Sequence, residues 1–282
     1  MTQYLKPWVI GGDGRYKWAV KCLRDSGIPV KTWGVPGEKN QMEHLEDALQ
    51  DANLVLLSMK PFDRDVLTVG EESIEAGLLP KILGQDATLV AGSFPTDLEA
   101  WLQDQGVKCV SFLELESYLM KNAVVTAEGA VYLALDAMDR TLFGAKALVI
   151  GWGRIGRFLA QKLQALGANV TVAVRKTEQK TELELLGYST EETKAYKKGL
   201  EGYDLIVNTV PKPVITPEQF ARIDPACVVI ELASLPGGFP GEHLGRVVMG
   251  QALPGKTAPR TAGENLTAAI YSCLAGEGRT LE

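Results

Sequence analysis

Apolar positions in this chain recur with two periods. Short unbroken runs stand at Trp8-Val9-Ile10, 53–58 (NLVLLS), 87–91 (ATLVA), Leu148-Val149-Ile150, 204–209 (DLIVNT) and 227–232 (CVVIEL). Continuous apolar runs suit strands buried on both faces. Between them, apolar residues fall three and four apart, the helical spacing. The pattern predicts helices over 216–222 after the turn-forming Pro211 and Pro213, over 126–140 with Val131, Leu135 and Met138 on one stripe, and over 262–274 with Leu266, Ala269, Ile270, Cys273 and Leu274 on one face. Alternating strands and helices predict parallel sheets covered on both sides.

One opening is used twice. Val9, Ile10, Gly11, Gly27 and Val30 fall on Val149, Ile150, Gly151, Gly167 and Val170, and Trp18, Ala19 and Leu23 fall on Phe158, Leu159 and Leu163. The expected fold is α/β, with two doubly wound, Rossmann-like domains. A length of 282 residues fits about two domains of roughly 150 residues each.

The second opening carries Gly151-Trp152-Gly153-Arg154-Ile155-Gly156, a G-x-G-x-x-G placed directly after a strand and at the head of a helix. In that context Gly151 permits the tight turn, Gly153 admits a pyrophosphate and Gly156 lets the helix pack close to the strand. The helix N-terminus offers free N–H groups to the phosphates. The second domain is therefore expected to bind a dinucleotide. The first opening differs, because Asp13 replaces the second glycine and Tyr16 the third. A carboxylate repels a pyrophosphate and a tyrosine blocks close packing. Asp13 and Arg15 are read either as groups offered to a substrate or as a helix cap and its neighbour.

A nicotinamide site that takes NAD has an acid after the second strand to bind the ribose 2′-hydroxyl. Here Val174 is followed by Arg175 and Lys176, a pair suited to gripping a 2′-phosphate. The expected cofactor is NADP, with NAD as the alternative. The domain boundaries follow: 1–125, a Rossmann-like domain for substrate or partner; 126–261, an NADP-binding Rossmann domain that begins with a connecting helix; and 262–282, a closing helix packing back on the first domain.

Composition removes other classes. The net charge is −6 with both signs interspersed, so no nucleic-acid partner is expected. No apolar run approaches the ~18 residues of a membrane span. The start, MTQYLKPWVIGGDG, lacks a basic head and apolar signal region, which points to the cytoplasm. Cys22, Cys109, Cys227 and Cys273 form no C-x-x-C pair, and His44 and His243 are the only histidines, so no metal site is expected.

Further phrases join the fingerprint: Gly11-Gly12-Asp13 with Arg15, Thr126-Ala127-Glu128-Gly129-Ala130, Asn208-Thr209-Val210-Pro211, Leu232-Ala233-Ser234-Leu235-Pro236-Gly237-Gly238, and Leu253-Pro254-Gly255-Lys256-Thr257-Ala258-Pro259-Arg260-Thr261-Ala262-Gly263. Together they resemble the A subunits of dipicolinate synthases over nearly the whole chain. The stretch 31–81 carries no recognisable family phrase. The resemblance implies a fold like that of D-hydroxyacid and alanine dehydrogenases. It also implies NADP-linked oxidation of dihydrodipicolinate to dipicolinate in the mother-cell cytoplasm of a spore-forming bacterium, partnership with a flavoprotein-like B subunit, and self-association as a homo-oligomer.

Within that frame, Thr209, Val210, Pro211 and Ser234 follow strands and are expected beside the cofactor. Cations are wanted for a dicarboxylate substrate, and the candidates are Arg15, Lys60, Lys212, Lys256 and Arg260. Thr257 lies in the same phrase as Lys256, and Thr261 is expected to cap the closing helix. Glu128, read at the start of the connecting helix, is the candidate proton acceptor; a dipole-matched helix residue is the other reading. Two rivals stay open: another NADP-dependent dehydrogenase of a hydroxy or amino acid, and a non-catalytic nucleotide-binding scaffold within the synthase.

Overall fold

The computed structural model describes residues 7–192 and 200–276, the side chains of 242–244 apart. They form two compact units, Met1–Asn122 with Pro254–Glu282, and Ala123–Leu253. No helix among the described residues is long and apolar enough to cross a membrane.

The first unit opens with β1 (Pro7–Ile10), α1 (Gly14–Asp25), β2 (Lys31–Trp33), α2 (Leu45–Leu49) and β3 (Leu54–Leu56). Three short strands follow, β4 (Phe62–Asp63), β5 (Val66–Val69) and β6 (Glu72–Glu75), and then α3 (Leu79–Ile82), β7 (Thr88–Ala91), α4 (Thr96–Asp104), β8 (Lys108–Ser111) and α5 (Glu116–Ala137). The main sheet runs β2-β1-β3-β7-β8, all parallel. That is the 2-1-3-4-5 order of one doubly wound class. Strands β4, β5 and β6 make a separate antiparallel sheet that the apolar pattern did not predict. They occupy the stretch without recognisable phrases.

In the second unit come β9 (Lys146–Ile150), α6 (Arg154–Ala165), β10 (Asn169–Val174), α7 (Thr177–Leu185) and β11 (Ser189–Glu192). Then follow β12 (Leu205–Asn208), α8 (Pro217–Ala221), β13 (Val228–Glu231) and β14 (Val248–Met249). The sheet order is β11-β10-β9-β12-β13-β14, again all parallel. This is the 3-2-1-4-5-6 arrangement of dinucleotide-binding domains. The repeat between the halves thus holds for the first strand–helix–strand and ends there. In the first unit the third strand lies on the same side of β1 as those after it, whereas in the second it extends the sheet beyond β10.

The last elements among the described residues are α9 (Leu253–Thr257) and α10 (Pro259–Gly276). Leu266, Ala269, Ile270, Cys273 and Leu274 of α10 join Tyr16, Ala19, Val20 and Leu23 of α1 in one buried cluster. Burying a leucine- or isoleucine-sized side chain is worth about 1.5–3 kcal/mol, so α10 is part of the core of the first unit. Gly263 makes the approach feasible: a Cβ there would lie 2.5 Å from Cβ of Trp18 and 2.6 Å from the Arg15 carbonyl oxygen.

Two helix starts differ from the pattern. α5 begins at Glu116 rather than near Thr126, because polar Lys121 and Asn122 interrupt the apolar spacing without interrupting the helix. Glu128 is consequently a mid-helix residue, not a first-turn one. The expected loop before the closing helix is helical, with Pro259 as the first residue of α10, a position where a missing N–H costs nothing. Thr261 therefore lies inside the first turn, exposed, and does not cap the helix. The chain also returns to the first unit at Pro254, ahead of the expected 261/262 boundary, and the other division falls at Asn122 within α5 rather than after residue 125.

Candidate dinucleotide site

Strands β9, β10 and β12 lie side by side with β9 in the middle, where the sheet order reverses. Ligands of open parallel sheets bind at the carboxyl ends of the strands at such a point. A cavity of about 620 Å³ opens there. Its lining includes Gly151, Trp152, Gly153, Arg175, Lys176, Thr209, Val210 and Pro211 from the sequence-predicted set, and adds Gln179, Lys212, Pro213 and Val214.

The three glycines of the turn do different work. Gly151 has φ +104°, and a Cβ on it would lie 2.5 Å from Thr209 Oγ1. Gly156 is buried in α6, where a Cβ would lie 2.1 Å from the Gly151 carbonyl oxygen. Gly153 is different: a Cβ there would meet nothing within 4 Å. It is the N-cap of α6 and has no side chain to bond the free N–H groups of the first turn. Open space at the head of a helix whose N-cap has no side chain fits a pyrophosphate, so this turn can hold a dinucleotide.

Other predicted cofactor residues take up supporting places. The Trp152 ring is buried, edge-on to Tyr188 at 5.6 Å, with the Arg157 guanidinium 5.3 Å from its centroid. Ile155 packs against the core of the unit. Arg154 begins α6 on the exposed side. Arg154, Ile155, Gly156 and Ser234 are not cavity-lining residues. Ser234 is exposed, and its carbonyl accepts from the Gly237 N–H at 3.0 Å. Arg175, Lys176 and Lys212 are exposed, and among the described residues none has a side-chain ion-pair partner. Lys212, read from sequence as a substrate cation, shares the cavity with Arg175 and Lys176.

Sequence reasoning passed over two residues that shape this wall. Asn208 and Glu231 end β12 and β13 as register partners, and both are buried. The Glu231 carboxylate accepts from Asn208 Nδ2 at 2.7 Å, from the Ala233 N–H at 2.8 Å and from the Gly238 N–H at 2.7 Å. A polar residue at the end of each apolar run was the signal available.

The first unit treats its matching turn otherwise. The Tyr16 ring fills the space over Gly12, where a Cβ would lie 2.2 Å from a ring carbon, and Tyr16 Oη donates to the Leu57 carbonyl at 3.0 Å. Burial pushes the Tyr16 hydroxyl well above its usual pKa. Asp13 caps α1, accepting from the Arg15 N–H at 3.1 Å, and its carboxylate takes Arg15 Nε at 2.8 Å and Nη2 at 2.9 Å. Arg15 is 3% exposed, and its Nη1 also reaches Tyr118 Oη at 3.3 Å and Asn122 Oδ1 at 3.5 Å. Burial works to lower the guanidinium pKa, but the bonds and charge of Asp13, with Tyr118, outweigh it and hold it above the usual value. Arg15 is committed to these partners. A cavity of about 440 Å³ at this strand edge is lined by Asp13 and Lys60, with Ser58 and Thr68.

The remaining predicted substrate residues sit nearby or outside. Gly255 of α9 packs on the cap: a Cβ there would lie 2.5 Å from Asp13 Cγ. Lys256 is exposed and Thr257 half-buried on the same short helix. Arg260 pairs with Glu264 at 2.9 Å and lies 5.6 Å from the Trp18 ring centroid. Glu128 is exposed and paired with Lys162 at 2.8 Å. The His243 side chain lies outside the described residues.

Known proteins share this organisation. Residues 7–113 match the N-terminal domain of the dipicolinate synthase A subunit, and residues 120–234 match the NAD binding domain of D-isomer specific 2-hydroxyacid dehydrogenases. The A subunit of dipicolinate synthase from Bacillus subtilis is 27% identical over 98% of this chain and 97% of its own length. The crystal structure of the corresponding A subunit from Bacillus halodurans superimposes with a TM-score of 0.80 at 25% identity, covering 95% of this chain and 97% of that one. A transhydrogenase from Sinorhizobium meliloti shares the fold at a TM-score of 0.70 and 17% identity, covering 96% of this chain and 94% of that one. With an NAD-binding dehydrogenase domain following an N-terminal domain of the synthase type, the chain is an NAD(P)-dependent oxidoreductase that is similar over nearly its whole length to the A subunits of dipicolinate synthases.

Proposed function

We propose that the chain uses NADP to oxidise dihydrodipicolinate to dipicolinate. The observation that carries the cofactor half is the open turn at Gly153 in a cavity also lined by Arg175, Lys176 and Lys212. The nicotinamide supplies a hydride acceptor. The chain's own part is to hold the dinucleotide: α6 N–H groups take the pyrophosphate, and the three cations take the 2′-phosphate through charge-assisted hydrogen bonds. Removing one hydride and one proton from the dihydro ring makes an aromatic pyridine, so positioning supplies most of what the reaction needs. The substrate identity rests on the family. Lys60, in the Asp13 cavity of the first unit, is the cation assigned to a substrate carboxylate, since Arg15 is engaged. The setting is the cytoplasm of the mother cell during sporulation, where the chain self-associates and works with a B subunit.

One observation favours the scaffold reading as well. Among the described residues, the lining of the dinucleotide cavity contains no carboxylate and no histidine. The test is to titrate the chain with NADPH and NADH by fluorescence, and then to supply dihydrodipicolinate and NADP with and without the B subunit. Tighter NADPH binding and steady NADP reduction by the chain alone support the proposal. Turnover only with the partner present selects the scaffold. No binding of either nucleotide overturns the cofactor assignment.

A further inference from the structure

We propose that Glu231 and Asn208 are positioning residues of the dinucleotide site, a buried clasp that fixes the segment forming one wall of its cavity. The proposal rests on the dinucleotide reading of that cavity.

Val210, Pro211, Lys212, Pro213 and Val214 are consecutive, and all five line the cavity. Each end of this segment is tied down. At the near end, Asn208 grips both backbone polar groups of Val210: its Oδ1 accepts from the Val210 N–H at 3.1 Å, and its Nδ2 donates to the Val210 carbonyl at 2.9 Å. At the far end, the Gly238 carbonyl accepts from the N–H groups of Val214 at 3.0 Å and Ile215 at 3.1 Å. Glu231 joins the two ends, because its carboxylate takes Asn208 Nδ2 on one oxygen and the Gly238 N–H on the other. Neither Asn208 nor Glu231 lines the cavity, so the pair acts on the site only through the segment it holds.

The chemistry of the clasp requires a carboxylate. Oε1 accepts two hydrogen bonds and Oε2 one, and all three donors are uncharged N–H groups. Glutamine has the same shape but must turn an NH₂ toward at least one of those donors, leaving a buried N–H unpaired. The neighbouring glycines leave no room for adjustment. A Cβ on Gly237 would lie 2.7 Å from Glu231 Oε2, and one on Gly238 would lie 2.5 Å from Asn208 Nδ2. Glu231 is 1% exposed, and among the described residues it has no cationic partner.

The test measures NADPH affinity in the full chain for E231Q, N208S and the double variant, beside L163A as a control that lowers stability from the core of the same unit. The expected result is a rise in Kd of at least ~10-fold for each single variant, the size of one buried unpaired N–H. The double variant should be no worse than the weaker-binding single, since one clasp is broken in every case. L163A should lose thermal stability and keep the wild-type Kd. Affinities of E231Q and N208S within about twofold of wild type overturn the clasp. So does an equal loss of affinity in L163A, or failure of both clasp variants to fold, since each reduces the clasp to general stability. A wild-type chain that binds neither NADPH nor NADH removes the underlying dinucleotide reading instead, and is recognised before any variant is made.

Discussion

Gly156 stands against Gly151 so closely that a methyl group on the first would lie 2.1 Å from the carbonyl oxygen of the second. This approach sets where α6 begins relative to the end of β9, and hence where its free N–H groups point. Gly156→Ala should therefore cost the second unit several kcal/mol, about 1–3 for overpacking and more where backbone is the obstacle. Gly153→Asp makes the complementary case. Its side chain enters open space, so the thermal midpoint should stay near wild type while NADPH binding falls at least ~10-fold by charge repulsion. Differential scanning calorimetry and fluorescence titration separate the two outcomes. Loss of binding in neither variant would remove the turn from the site.

Arg175 and Lys176 decide between cofactors. Arg175→Asp should weaken NADPH binding at least ~10-fold, roughly the loss of one charge-assisted bond, and leave NADH binding equal or better. Unchanged binding of both would make Arg175 an exposed bystander.

The Asp13–Arg15 pair predicts an asymmetric response. Arg15 is 4% exposed at its side chain and Asp13 34%. Asp13→Ala leaves a buried guanidinium without its counter-charge and should destabilise the first unit by about 3–5 kcal/mol. Arg15→Met leaves a partly solvated carboxylate and should cost less. Urea denaturation of both variants measures the difference, and equal costs would contradict the burial argument.

Alkaline pH should destabilise the protein through its thiols. Burial pushes Cys109 and Cys227 each from an ordinary 9.0 up to about 12. Unfolded thiols ionise from about pH 9 while the folded ones keep their protons. Their contribution to stability is therefore complete below pH 9 and is lost as pH climbs towards 12. Urea midpoints at pH 8 and pH 10 should differ more in wild type than in Cys227→Ala. Native labelling by a thiol reagent at pH 8 should reach half-buried Cys22 well before Cys227.

What the sequence disclosed depended on how each element earns its stability. Strands held by apolar burial, such as β9 and β12, stood out as unbroken runs, and the glycine turn was legible because its spacing encodes backbone geometry. Strand β11 (STEE) lies on a sheet edge and has no such signature, and β4 to β6 are too short to alternate clearly. The head of α5 hid behind Lys121 and Asn122, and α9 behind the prolines. The dipole-matched reading of Glu128 depended on a first-turn position that α5 does not give it; its bond to Lys162 depends on α6, which only the fold brings alongside. The Glu231 clasp joins residues far apart in sequence, so the polar residue closing each apolar run marks its members but not their pairing.

The return of α10 to the core of the first unit has a consequence for synthesis on the ribosome. The unit that is translated first cannot close until the last residues emerge, because Leu266, Ile270 and Leu274 complete the apolar face of α1. At ~5–20 residues per second the nascent chain carries Tyr16, Ala19, Val20 and Leu23 uncovered for roughly 12–50 seconds before Leu266 is made. A chain cut short before Pro254 would lack the helix that completes the core of its first unit.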